Sequence, residues 1–204
     1  MSPQRSNRAQ LIEGTLRCLE RLPAERITAR AITEESGANL ASITYHFGSK
    51  DDLVTAAIIG GLDRWLVEVE RGLAELRSPT PRAKFRRAGE VIDASRHRHA
   101  GLVRNLFAAL ARAQHDACVR EQLAAGFRKT RSAIASLLDL GDDQAGGDAG
   151  GLVLALFYGV LLQVELDPAL SIEGKRMERA QRRLLGVLPT EPAGRLGRPR
   201  SAAQ

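Results

Sequence analysis

The chain has 204 residues, 44% hydrophobic and 26% charged, a balance that excludes a disordered or low-complexity protein and suits one or two small globular domains. Its two cysteines, Cys18 and Cys118, lie far apart with no CxxC partner, which excludes a disulfide scaffold or cysteine-rich zinc module and fits a reduced, cytoplasmic setting. The net charge of +6 divides unevenly, with a surplus of two over residues 1–50, a deficit of two over 51–174 and a surplus of six over 175–204, so total charge does not locate a nucleic-acid face. No apolar run reaches the roughly 18 residues of a membrane span. The longest is Leu152–Leu162, and the first residues lack the apolar stretch of a secretory signal.

The elements read as helix after helix. Ile12, Leu16 and Leu19 make one stripe on a helix from Arg5 to Leu22, which Pro23 stops. A short helix over Thr28–Ser36 has Thr28 as N-cap and Ile32 facing inward; Gly37 turns the chain, and Asn39 caps a second short helix to about His46. Ser49 through Asp52 has the form of a capping box and opens a long helix to about Leu76, with a kink or weak point predicted at Gly60–Gly61. Ser78-Pro79-Thr80-Pro81 breaks the chain. Beyond it, Phe85, Ala88 and Ile92, then Val103, Leu106 or Phe107 and Leu110, then Val119, Leu123, Phe127, Thr130, Ile134 and Leu137 mark three amphipathic helices. Asp139–Gly151 reads as a loop. Leu152–Leu166 is apolar nearly all round and closes at Asp167-Pro168, and Met177, Ala180, Leu184 and Val187 form a stripe opposed by arginines. From Pro189 onward the composition predicts a disordered basic tail.

Two short helices around a glycine turn, with Ile32, Ile43 and Phe47 spaced to bury against the first helix, describe a helix-turn-helix, whose second helix enters the DNA major groove. The run from Thr28 to Leu53 resembles the N-terminal domain of the tetracycline-repressor (TetR) family, matching its pattern at Thr28, Ile32, Gly37, Ile43, His46, Phe47, Ser49, Lys50 and Leu53. Ala24, Ser36 and Ala38 depart from the family's usual residues, and Thr44 stands where the family often has a phosphate-contacting Tyr. The resemblance covers about 50 residues. It implies an all-α protein, with a three-helix helix-turn-helix domain over 1–50, a helical ligand-binding and dimerisation domain over 51–188, and the tail at 189–204.

Chemistry then distributes roles. Thr28, Arg30, Tyr45, His46 and Lys50 are candidates for phosphate contacts, which position the protein without reading sequence. Leu40, Ala41, Ser42 and Thr44 lie on the early turns of the second helix and face bases. This set has no Arg, Asn or Gln fork, so recognition is expected to lean on thymine methyls, hydroxyl hydrogen bonds and DNA shape. Arg5 and Arg8 add backbone or minor-groove contacts from an N-terminal arm.

Other constellations have plainer readings. Glu90, Asp93, His97 and His99 read as an arginine-flanked helix surface rather than a metal site, His115 as surface and Cys118 as core. Gly197-Arg198-Pro199-Arg200 is a poor AT-hook, and no nucleophile elbow, P-loop or dinucleotide fingerprint appears, so no catalytic residue, metal or cofactor is assigned and the chain is not expected to be an enzyme. Leu152–Leu166 with the Met177–Val187 stripe is expected to form half of a four-helix bundle with a second copy, placing two recognition helices about 34–36 Å apart on a palindrome. The resemblance also implies a small-molecule cavity, for which Trp65, Phe107, Phe157 and Tyr158 supply walls and Asn105 or Gln163 polar handles. The expected function is a homodimeric, DNA-binding transcriptional regulator, a repressor released from a palindromic double-stranded operator by a small-molecule effector. Two rival classes fit the same residues: a helical carrier or enzyme whose N-terminal motif is only structural, and a nonspecific DNA-associated protein using the basic tail.

Overall fold

Residues 6–77 and 80–187 are described by the computed structural model. Over them the chain forms nine α-helices and two 3-10 turns, with no strand among the described residues. Arg5, the Ser78-Pro79 break and the tail with Gly197–Arg200 lie outside the described residues.

Helix α1 (Asn7–Arg21) buries Leu11, Cys18 and Leu19 along one stripe. In α2 (Ala29–Ser36) the Thr28 hydroxyl accepts the Ala31 N–H at 3.1 Å, and Gly37 ends the helix at φ 70°, a left-handed turn that disfavours a side chain. Helix α3 (Ala41–Phe47) is capped by the Asn39 side chain, which accepts the Ala41 N–H at 2.9 Å. Glu35 ties α2 to α1, receiving Arg17 at 2.7 Å and Arg21 at 2.5 Å. These hydrogen bonds, Arg21 first and then Arg17, hold the Glu35 carboxyl below its usual range.

Helix α4 (Lys50–Ala74) starts on Ser49, whose hydroxyl accepts the Asp52 N–H at 3.0 Å and donates to the Asp52 carboxylate at 2.6 Å. The helix continues through Gly60–Gly61, and the missing side chain at Gly61 lets Leu16 and Leu102 close in. Then follow α5 (Pro81–Ser95), α6 (Ala100–Arg112), α7 (Ala117–Leu137), α8 (Gln144–Leu166) and α9 (Gly174–Leu185). The chain divides into two compact units, Met1–Ser171 and Ile172–Gln204. In the second, α9 leaves Leu184 and Leu185 exposed.

In the first unit one core joins Leu11, Ile32 and Ile43 of the first three helices to Leu53 and Ile58 of α4, Leu106 of α6 and Val119 and Leu123 of α7. Each fully buried Leu or Ile there contributes roughly 1.5–3 kcal/mol, so α3 is held by its inward face while its outward face stays unburdened by packing. A second cluster gathers Val69 and Leu73 of α4, Ala88 of α5, Ile134 of α7 and Leu154 of α8.

Three expectations are corrected. The span expected as a loop to Gly151 is helical from Gln144, because Asp143 caps the Gly146 N–H at 2.9 Å and the glycines allow close approach: a Cβ on Gly150 would collide with the Arg131 carbonyl oxygen of α7. With those residues included, α8 spans 23 residues and is long and apolar enough, by length and composition, to cross a membrane, which Leu152–Leu162 alone was not. One such helix is weak evidence for a membrane, and α8 packs Leu154 and Leu161 into the protein. Cys118, expected in the core, is exposed, since Val119 takes the inward position; His115 is on the surface as expected.

Candidate nucleic-acid interface

Because Ile43 and Ile32 are drawn inward and Phe47 packs against the same core, the rest of α3 is turned outward. Leu40 is 57% and Tyr45 85% exposed, Ala41 and Thr44 are exposed, and Ser42 and His46 are half-buried. Exposing a Leu just before, and a Tyr on, a seven-residue helix has no stabilising value in water; it suits a surface that meets thymine methyls and sugar edges.

Groups able to hold phosphates flank that helix. The Thr28 hydroxyl spends a lone pair on Ala31 and keeps its proton for an outside acceptor. Arg30 is exposed and, among the described residues, pairs with Glu34, four residues on, at 3.0 Å. Such a pair is worth about 0.3–0.5 kcal/mol and gives way easily. The Lys50 ammonium donates to the Ile27 carbonyl at 3.2 Å and pairs with Asp51 at 3.0 Å, leaving one of its three N–H donors. These contacts fasten the start of α4 beside the start of α2. On the other side, the Asn7 amide meets the Ser42 hydroxyl at 3.4 Å, and Arg8 lies over the Phe47 ring, 5.2 Å from its centre. Arg8, expected in an arm, is therefore part of α1 and leans on α3.

The first turn of α4 is gripped from behind. Arg112, the last residue of α6, reaches Asp51 at 3.0 Å and Asp116 at 2.8 Å. Burial raises the Asp51 carboxyl, but the Lys50 hydrogen bond and charge, with those of Arg112, outweigh it and hold the group below its usual range. Asp52 accepts from the Gln122 amide at 2.9 Å and from the Cys118 thiol at 3.1 Å, and that contact keeps the thiol above its ordinary range. Sequence reasoning missed this grip. Asp51 and Asp52 are visible as first-turn acids, but their partners sit about 60–70 residues away, with no local signal.

Of the residues expected around a ligand, Trp65, Phe157 and Tyr158 line a common cavity of about 80 Å³ between α4, α5, α7 and α8. Asn105, Phe107 and Gln163 do not line it. Asn105 is buried and committed to backbone: it accepts the Ala24 N–H at 2.7 Å and donates to the carbonyls of Leu19, Leu22 and Gly101 at 3.2, 3.3 and 2.8 Å. Phe107 packs with Trp65 and Val103, and exposed Gln163 turns back to the Gly159 carbonyl at 3.1 Å. Among the described residues no three His, Cys, Asp or Glu side chains gather as a metal would need. Glu90 pairs with Arg86 and Arg87, and His99 stacks on Trp65 at 4.7 Å and meets Glu68 at 3.3 Å.

Residues 11–57, which cover most of α1, all of α2 and α3, and the start of α4, match the family model described as bacterial regulatory proteins, tetR family. Over that segment the chain is similar to the TetR family. Beyond the TetR segment the likeness is one of fold. A transcriptional regulator from Rhodococcus sp. Rha1 is 17% identical at a TM-score of 0.64, over 89% of this chain and 95% of that one. A TetR transcriptional regulator from Legionella pneumophila is 16% identical at 0.59, over 93% and 100%. The multidrug binding protein EbrR, in complex with imidazole, is 23% identical at 0.61, over 92% of each. Among curated proteins, none matches this chain in sequence. The chain thus shares the all-α fold of these regulators, and its residues 11–57 are similar to the tetR-family segment of bacterial regulatory proteins.

Proposed function

We propose that this protein is a DNA-binding transcriptional regulator of the TetR type, a homodimeric repressor that occupies a palindromic operator and leaves it when a small molecule binds. Residues 1–50 serve as the DNA-binding domain, 51–188 as the effector and dimerisation domain, and 189–204 as a basic tail that adds salt-dependent affinity. The observation that carries the reading is the outward face of α3, where Leu40, Ala41, Ser42 and Thr44 read bases. Thr28, Arg30, Tyr45, His46 and Lys50 hold the flanking phosphates.

Dimerisation is supported by α8. Leu152 is 74% and Leu166 75% exposed, and Leu156 and Leu162 are also bare, on a helix too apolar for one protomer to leave in water. Release by an effector is supported by the cavity beneath α4 and by the Arg112–Asp51 grip that joins the far end of α6 to the turn carrying Lys50. A neighbour in fold binds imidazole, which supports a small-molecule effector here. The ligand favours an arrangement in which the two recognition helices no longer match successive major grooves, and by reciprocity operator DNA weakens ligand binding equally.

Footprinting on DNA flanking the chain's own gene tests the reading. A protected two-fold site supports it; protection everywhere supports a nonspecific DNA-associated protein, and protection nowhere a carrier or enzyme with a structural N-terminal motif. Substituting Thr44 shifts which operators are preferred; an identical preference removes Thr44 from the reading set.

A further inference from the structure

The cavity that supports effector binding has a chemistry of its own. Leucine, isoleucine and valine side chains and the rings of Trp65, Phe157 and Tyr158 make almost all of its wall, and among the described residues no carboxylate, guanidinium, ammonium or imidazole lines it. Three of its lining residues carry a polar side-chain group, and two of these groups are committed. The Trp65 indole N–H donates to the Ser95 hydroxyl at 2.7 Å, and the Thr130 hydroxyl donates to the Gly126 carbonyl at 3.0 Å. The third, the Tyr158 hydroxyl, has no hydrogen-bond partner among the described residues. Burial, with Asp63 adding a little, pushes its pKa up to about 12, so it is a neutral donor throughout the physiological range. Asp63 is itself paired with Lys129 at 2.6 Å, so its charge is already matched.

A charged guest entering this space would leave its hydration behind and meet no opposite charge, a loss of several kcal/mol that the aromatic faces do not recover. Those faces are partly spent on one another: Phe157 lies against Phe85 at 5.8 Å, Tyr158 against Phe127 at 5.4 Å and Trp65 against His99 at 4.7 Å. Size narrows the guest further. At about 80 Å³ the cavity is several times what one water needs, yet about half of the roughly 150 Å³ that admits benzene, so a single ring enters by easing the walls apart slightly and a fused polycycle requires far more.

We propose that the effector is a compact, uncharged, largely apolar molecule of about one ring, carrying at most one hydroxyl or carbonyl that hydrogen-bonds Tyr158, and that carboxylates and ammonium ions are excluded. This rests on the reading that the cavity is the effector site, and deepens it by naming the class.

Trp65 is the chain's only tryptophan and lines the cavity, so its emission reports occupancy directly, with no DNA present. The full-length protein is titrated with benzyl alcohol, benzoate and benzylammonium, three rings of nearly one shape. Benzyl alcohol is expected to change Trp65 emission saturably, with the two ions at least roughly a hundred-fold weaker. Tyr158→Phe is expected to weaken benzyl alcohol several-fold while leaving toluene unchanged. Ala88→Phe, which fills the cavity, abolishes both responses at unchanged helical circular dichroism. Benzoate or benzylammonium binding as tightly as benzyl alcohol overturns the class, and so does the absence of a saturable response to any neutral ring. Saturation of Trp65 with no loss of operator affinity refutes release by the effector but leaves the ligand class standing.

Discussion

Asn105 is the most exacting test of how α6 is joined to the end of α1. Replacing it with Leu keeps its bulk but withdraws the donor from the Leu19 and Leu22 carbonyls at the end of α1 and the acceptor from the Ala24 N–H that opens the following 3-10 turn, three backbone groups that helix hydrogen bonding leaves open. Each such group left unmet costs about 1–3 kcal/mol when dry, less where water reaches it, as at the partly exposed Leu22. The expected loss is about 2–4 kcal/mol, read as a lower urea midpoint at unchanged slope and as roughly 2–4 °C of melting temperature per kcal/mol for a chain of this length. Asn105→Asp sharpens the test. A carboxylate among three carbonyl oxygens is driven towards its neutral form, so its folded pKa rises above the unfolded value of about 3.9. A group raised in this way contributes fully below the unfolded pKa and loses that contribution as pH rises through the folded one. The deficit of this variant against the parent is therefore smallest near pH 4 and grows towards pH 8. A Leu variant within about 0.5 kcal/mol of the parent, or an Asp variant whose deficit ignores pH, refutes the clamp.

Lys50→Ala weakens binding to every DNA sequence alike and lowers the salt slope of affinity by about one, measured by titration at several ionic strengths; an unchanged slope removes it from the phosphate set. Leu152→Glu together with Leu166→Glu places charge on the bare face of α8 and shifts the protein to monomer in sedimentation velocity; a persistent dimer sends the interface elsewhere. Gly150→Ala gains helix propensity worth about 1 kcal/mol yet destabilises, because the new methyl meets the Arg131 carbonyl oxygen. A higher melting temperature contradicts the close approach of α8 to α7. Glu35, held low by Arg21 and Arg17, contributes stability above its ordinary pKa of 4.5 that is lost as pH falls through its lowered one. Glu35→Gln is thus less stable than the parent at pH 7, and the gap closes in acid.

The N-terminal half of the interface was readable because its signals are local. Thr28, Gly37, Asn39 and Ser49 each act on backbone within three or four residues of themselves, and Ile32 and Ile43 announce the inward face by spacing alone. What distance in sequence hides was not readable. The glycines before Leu152 look like a loop until the Arg131 carbonyl is seen against them. Asn105 looks like a handle for a ligand until the end of α1 is found more than 80 residues upstream. Cys118 was legible and misjudged: Val119, Leu123 and Phe127 already claim the inward stripe, which turns their neighbour out towards Asp52.

If the uncovered leucines of α8 pair two copies as proposed, the protein's potency is tied to its own abundance. When copies are scarce, the number of complete readers would then rise as the square of the number of chains. A cell that halved its synthesis of the protein would lose about three quarters of its grip on the target, a steepness that comes from pairing alone.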